Sequence, residues 1–140
     1  MNRPTMEAFT MGQIEPDPTV ACRDLSQLDP RFRAILLAAV AEAQEAGLDP
    51  VVIETYRSQA RQDYLYAQGR TRPGKVVTWT LNSKHKTRLA ADVCPRVAGK
   101  IDWKAKDLFD AWGAIAKKNG LAWGGDFSKY DGPHVQASWA

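Results

Sequence analysis

The chain has two histidines in 140 residues, and each lies near an acid at a spacing that matters for chemistry. His85 precedes Asp92 by seven positions in "SKHKTRLAAD", and Asp131 precedes His134 by three in "WGGDFSKYDGPHVQ". On one continuous helix, His85 and Asp92 would share a face but stand roughly 10.5 Å apart along the axis. That is too far for one first-row metal, whose ligands sit at about 2.0–2.2 Å. The chain between them is therefore expected to fold back, with His85 in a loop and Asp92 on the strand-like "LAADV". Gly132 and Pro133 impose an extended approach to His134, which places it at the entrance of a final strand. Two histidines and one carboxylate leave a coordination position open for water, the pattern of catalytic rather than structural zinc. A water acidified by zinc needs a proton acceptor within hydrogen-bond reach, and Asp131 is the candidate. Asp126, in "GGDF", is its rival and is read as a turn residue bonded to nearby backbone.

The elements that must hold these residues follow from periodicity. "LDPRFRAILLAAVAEAQEAG" predicts a helix with Asp29 as cap, Pro30 in the first turn and Gly47 as the stop. Phe32, Ile35, Leu36, Ala39, Val40 and Ala43 form its apolar stripe. "PVVIET" (50–55) reads as a buried strand, and Ser58 caps a second helix that runs to about Gln68 and closes at Gly69. "KVVTWT" (75–80), "AADV" (90–93) and "HVQASW" (134–139) read as further strands. A third helix is expected from Asp102, its N-cap, through Lys117 and Lys118 to Gly120. The fold class is α+β: a small, mostly antiparallel sheet packed with about three helices in a single domain. Residues 1–24, with Pro4, Pro16 and Pro18, read as an N-terminal arm, and 25–140 as the domain.

Composition narrows the function classes. The chain is 44% hydrophobic and 25% charged with a net charge of +3, and no apolar run approaches the roughly 18 residues of a membrane span. Lysine and arginine are dispersed among acids, which argues against nucleic acid as a partner. Cys22 and Cys94 are read as buried thiols. Trp103 and Trp112 are placed on the third helix as packing residues, and Trp79 and Trp123 are the two tryptophans near the motifs. The first twenty residues lack the basic and apolar regions of a Sec signal, so synthesis in the cytoplasm is expected.

The blocks "SKH-x6-D" and "WGGDF-x3-DGPHVQ", with "YRSQARQDYLYAQGRTRPGKVVTWT" upstream, resemble the zinc D-Ala-D-Ala carboxypeptidase and L-alanyl-D-glutamate endopeptidase family of peptidoglycan peptidases. The resemblance implies one Zn2+ on His85, Asp92 and His134, with Asp131 as general base. It implies that Arg57 holds a substrate carbonyl or developing oxyanion, and that Gln62 and Ser83 contribute to substrate binding. The implied partner is bacterial peptidoglycan, the protein being a monomer. The implied reaction is L-Ala-D-Glu cleavage by a phage-type endolysin that reaches the wall after a holin-like protein opens the membrane. D-Ala-D-Ala carboxypeptidase or dipeptidase activity and a non-catalytic wall-binding module are the alternatives. Where the family carries glycine in S-x-H-x-x-G-x-A-x-D, this chain has Arg88, which puts the geometry of that loop in question and places an arginine near the cleft.

Overall fold

The structure, a computed structural model, describes residues 16–140. Three α-helices and five short strands follow one another as α1 (Pro30–Glu45), β1 (Pro50–Glu54), α2 (Gln59–Ala67), β2 (Ala90–Val97), β3 (Lys100–Ile101), α3 (Lys106–Lys118), β4 (Leu121–Trp123) and β5 (His134–Ala137). The strands run in the order β1-β2-β5-β4, with β3 paired to the far end of β2, and every pairing is antiparallel. The α+β architecture expected from the sequence is thus the one observed.

Local chemistry accounts for the helices. The Asp29 carboxylate accepts from the backbone N–H groups of Arg31 and Phe32, and Pro30 occupies the first turn of α1. Gly47 ends that helix at φ 90°, a conformation that costs a residue with a β-carbon. Phe32, Leu36, Ala39 and Ala43 are buried, with Ile35 and Val40 packed at the margin, as the helical spacing predicts. They meet Trp112 and Ala116 of α3 and Ala91, Val93, Val135 and Ala137 of the sheet. Fully burying side chains such as Phe32 or Leu36 contributes roughly 1.5–3 kcal/mol each.

The sheet has two chemically distinct faces. Ala91 and Val93 of β2, and Val135 and Ala137 of β5, enter the core, so the alternating Asp92, His134 and Gln136 project to the opposite face. Register then brings these together: Asp92 lies opposite His134 on one side and Glu54 on the other. A bulge between Val52 and Glu54 inserts one extra residue in β1 and makes that second pairing possible.

Several expectations need correction. "KVVTWT" is not a strand: residues 75–80 run as irregular chain, with Val77 and Trp79 exposed. The segment is held instead by side chains of α2 and the turn after it: the Gln62 amide donates to Thr80 O at 2.6 Å, and Arg70, past the helix end, donates to Thr78 O. Helix α3 begins at Lys106 because Asp102 caps an earlier turn, accepting from the Lys104 N–H at 3.0 Å. Trp103 therefore lies ahead of the helix, 60% exposed and stacked on Phe109, whereas Trp112 is buried as expected. Strands β3 and β4, two and three residues long, were not expected.

Of the expected arm over 1–24, residues 1–15, including most of the stretch read as lacking a leader, lie outside the described residues. The remainder is bonded to the domain: Thr55 donates from its N–H to Cys22 O and from its hydroxyl to Asp24 O, and Arg61 donates to Pro18 O. The described part of the arm, ahead of Leu25, is thus strapped to the domain through its backbone carbonyls.

One glycine is required by packing. A β-carbon on Gly113 of α3 would stand 2.2 Å from the Trp123 indole. Gly113→Ala should therefore destabilise the fold by about 1–3 kcal/mol from overpacking, despite alanine's better helix propensity of roughly 1 kcal/mol. A lower urea midpoint at unchanged slope is the expected readout, and a raised midpoint would contradict this packing.

Candidate active site

The His85 loop is a 3₁₀ turn over Lys84–Thr87, capped by Ser83, whose hydroxyl accepts from the His85 N–H at 3.1 Å. The chain does turn back between His85 and Asp92, and Arg88 makes the turn at φ 67° and ψ 21°. The left-handed conformation that glycine would favour is thus adopted by arginine. Its guanidinium leaves the cleft, donating to Gln27 O at 2.9 Å and to Gln27 Oε1, and stacking 3.9 Å over the Tyr56 ring. The expectation that Arg88 would impinge on the cleft is corrected: its side chain is anchored on the 3₁₀ turn before α1, which offsets the strain of its backbone.

His85, Asp92 and His134 converge, with one donor atom from each lying within 4.8 Å of the others. Asp92 Oδ1 is 3.2 Å from His85 Nε2 and 3.6 Å from His134 Nδ1. The opposite ring nitrogens are already engaged: His85 Nδ1 donates to Thr55 O at 2.8 Å, and His134 Nε2 donates to Gln136 Oε1 at 2.9 Å. With the outer N–H groups so engaged, a neutral imidazole at either position presents its lone pair inward, the usual arrangement around metal-binding histidines, whereas a protonated one donates inward to Asp92. The donor set therefore fits a divalent metal of borderline softness.

The second oxygen of Asp92 accepts from Arg57 Nη2 at 3.3 Å. The same guanidinium donates to Glu54 Oε1 and to Gln62 Oε1, each at 3.1 Å, and Glu54 in turn accepts from Arg61. Burial works to raise the Asp92 pKa, but His85, the hydrogen bonds from both histidines and the Arg57 charge hold it well below the ordinary carboxylate range. For His134, burial opposes the charged form, yet its bond to Asp92 and that carboxylate's charge raise its pKa.

Arg57 thus sits where the motif places it, lining the cleft, but its terminal nitrogens are engaged by protein acceptors. Gln62 is fully buried, spending its amide on Arg57, Thr78 and Thr80, so it supports the cleft from behind without reaching into it. Ser83 lines the cleft and caps the His85 turn.

Asp131 lies at the rim, half-exposed, with Oδ2 3.9 Å from His134 Nδ1. Burial against the cleft wall and the neighbouring charge of Asp92 raise its pKa, which makes it a stronger base than an ordinary surface carboxylate. It is held by its backbone N–H donating to Gly124 O at 3.0 Å. A β-carbon on Gly124 would come 2.3 Å from Asp131 O, so glycine there serves close approach of the two backbones. Asp126, the rival base, is exposed and ion-paired with Lys117 at 3.0 Å. Cys94 is buried, with its thiol pushed up to about 12, first by burial and then by Asp92, whereas Cys22 is only partly buried; both are free. The cleft itself, about 460 Å³, runs between residues 76–80 on one side and Phe127–Tyr130 on the other.

Glu54, the Thr55 carbonyl and Gln136 were not singled out in the sequence. A buried acid ending an apolar strand and a glutamine two residues after His134, on its face, were the available signals.

A carboxylate and a histidine from the antiparallel sheet, joined at one open cleft by a histidine from a 3₁₀ turn, make the donor set of a mononuclear metal site with a position left open. Comparison with known proteins agrees. A D-alanyl-D-alanine carboxypeptidase family model matches residues 77–137. The peptidoglycan L-alanyl-D-glutamate endopeptidase CwlK of Bacillus subtilis (strain 168) is 35% identical over 123 residues, which cover 79% of this chain and 74% of that protein. The crystal structure of the Serratia marcescens L-Ala D-Glu endopeptidase ChiX matches with a TM-score of 0.67 and 25% identity over 82% of this chain and 84% of that one. The zinc complex of a vancomycin-resistance D,D-pentapeptidase, VanY, matches in fold with a TM-score of 0.60 and 16% identity over 79% of this chain and 72% of that one. The chain belongs to the zinc D-Ala-D-Ala carboxypeptidase and L-alanyl-D-glutamate endopeptidase family of peptidoglycan peptidases.

The Arg88 geometry is testable through stability. Arg88→Ala keeps the positive φ and loses the Gln27 and Tyr56 contacts, and should cost about 1–2 kcal/mol. Arg88→Gly loses the same contacts but relieves the backbone, so it should be the milder change by roughly 1 kcal/mol in denaturant titrations. Equal losses would mean that the backbone strain is absent.

Proposed function

We propose that this protein is a zinc peptidase that hydrolyses the L-Ala-D-Glu bond in the stem peptide of bacterial peptidoglycan. The reading rests on the convergence of His85 Nε2, Asp92 Oδ1 and His134 Nδ1 beside Asp131 in an open cleft, and on the likeness to the two L-Ala-D-Glu endopeptidases. In it, His85, Asp92 and His134 hold the ion. Zinc bound there would lower the pKa of a water from about 15.7 towards 7 and polarise the scissile carbonyl.

The chain's own residues do the rest. Asp131 accepts the proton of the attacking water and passes it to the departing amine, which its raised pKa and rim position favour. Arg57 acts as a positioning residue: with Nη2 on Asp92 Oδ2, it aims the other carboxylate oxygen at the ion and balances its charge. Ser83 orients His85 through the cap of its turn, while Gln62 ties Arg57 to the cleft wall at Thr78 and Thr80. The protein acts on the wall as a monomer. As an endolysin of phage type, it would pass from the cytoplasm to the wall when a holin-like protein permeabilises the membrane. No helix among the described residues is long and apolar enough to cross a membrane.

Digestion of purified peptidoglycan with and without chelator, followed by mass analysis of the fragments, tests the reading. New L-Ala carboxyl and D-Glu amino ends that vanish on chelation and return with zinc are expected, whereas release of D-Ala alone would reassign the enzyme as a carboxypeptidase. His134→Ala should lose both metal and turnover; metal and full activity surviving together would sink the site. Asp131→Ala should keep one metal per chain and lose on the order of 10²–10⁴-fold in kcat.

Arg57→Lys keeps the charge but not the fork shared among Asp92, Glu54 and Gln62, and should weaken zinc affinity by about 10–100-fold. A competition titration against a chromophoric chelator measures this, and wild-type affinity would argue against a positioning role.

A further inference from the structure

Two of the cations that line the cleft have no ion-pair partner among the described residues. Arg57, Lys84 and Lys129 line it against one acid, Asp131. Arg57 is consumed by Glu54, Asp92 and Gln62. Lys84 and Lys129 are exposed, and the side chain of neither makes an ion pair or hydrogen bond among the described residues, whereas that of Lys86, two residues along the turn from Lys84, is tied to Gln59, Leu81 and Asn82. Lys84 lies between the cap Ser83 and His85, which puts its backbone beside the metal-site histidine. Lys129 extends from the opposite wall, with Nζ 4.6 Å from the centroid of the exposed Trp79 ring. A solvent-exposed cation–π contact is a weak attachment that a carboxylate readily displaces.

The proposed substrate supplies such a carboxylate. A glutamyl residue acylated on nitrogen has two carboxyl groups, and the peptide continues from only one of them. The other, free or amidated, lies a few bonds from the scissile nitrogen on the leaving side. Resting on the L-Ala-D-Glu reading, we propose that Lys129, together with Lys84, binds this free D-glutamyl carboxylate, so that the enzyme selects stems whose glutamate is unamidated. Lys129 leaves the Trp79 ring for the carboxylate, and Trp79 is released to pack on the apolar part of the stem. Lys84 approaches the same group from the metal side of the cleft.

The test compares two defined stem peptides, identical except that the non-chain carboxyl of D-Glu is free in one and a primary amide in the other. Their kcat/KM values for L-Ala-D-Glu cleavage are measured with zinc-loaded wild type, Lys129→Met, Lys84→Met and Lys129→Arg. Wild type should prefer the acid by about tenfold or more, which corresponds to one charge-assisted contact. The acid-to-amide ratio should fall towards unity in Lys129→Met, fall partially in Lys84→Met and persist in Lys129→Arg. The wild-type preference should also shrink with added salt. Equal wild-type rates on the two peptides overturn the carboxylate proposal and leave the endopeptidase reading standing. A wild-type preference that survives in both methionine variants overturns the assignment to these lysines. Cleavage of neither peptide at L-Ala-D-Glu overturns the underlying function, and with it this subsite.

Discussion

A carboxylate in the middle of a small sheet is tolerable only if both of its oxygens are met, and the arrangement around Asp92 follows from that requirement. One oxygen faces His85 and His134, and the other accepts from Arg57. Arg57 would itself be a buried charge in need of partners, and Glu54 and Gln62 supply them. Glu54 can do so because the β1 bulge brings it opposite Asp92. The chain of obligation ends at Arg61, which neutralises Glu54 and fastens the lead-in segment at Pro18. A metal site, a bulged strand and an N-terminal strap are thus successive answers to one electrostatic problem.

The division of labour across the sheet keeps that network separate from stability. Alternate residues of β2 and β5 serve opposite faces: Ala91, Val93, Val135 and Ala137 fasten α1 and α3, while Asp92, His134 and Gln136 point the other way. Because side-chain direction has a period of two, a register that buries the apolar set must also present the donors together. The hydrophobic core therefore selects the geometry of the polar site without touching it.

Much of this was legible in the sequence. The α1 stripe from Phe32 to Ala43, the Asp29 and Ser58 caps and the fold-back between His85 and Asp92 follow from periodicity, capping chemistry and ligand reach. The rest depended on tertiary context. "KVVTWT" has strand-forming residues but its backbone pairs with no strand, being held by side chains of Gln62 and Arg70, and β propensity measures fit to a pleated, half-buried surface more than any backbone preference. "LAW" at β4 is too short to announce itself, and is a strand because β5 lies beside it. Arg88 occupies a glycine conformation because Gln27 and Tyr56, far away in sequence, receive its side chain. The second oxygen of Asp92 and its debt to Glu54 are consequences of register, which no local pattern displays.

The irregular wall at residues 75–80 separates the shape of the groove from the register of the sheet. It borders the cleft, yet it is attached through side-chain amides and a guanidinium and contributes no rung to the sheet. Replacing the exposed Val77 or Trp79 side chain there would change the shape of the groove without removing a rung of the sheet or the Gln62 bonds at Thr78 and Thr80. The candidate ligand face and this wall are therefore built by separate parts of the chain, one by the sheet and the His85 turn and the other by irregular backbone. An engineer seeking a new cleavage preference has in Val77 and Trp79 two exposed positions on this wall that belong to no strand.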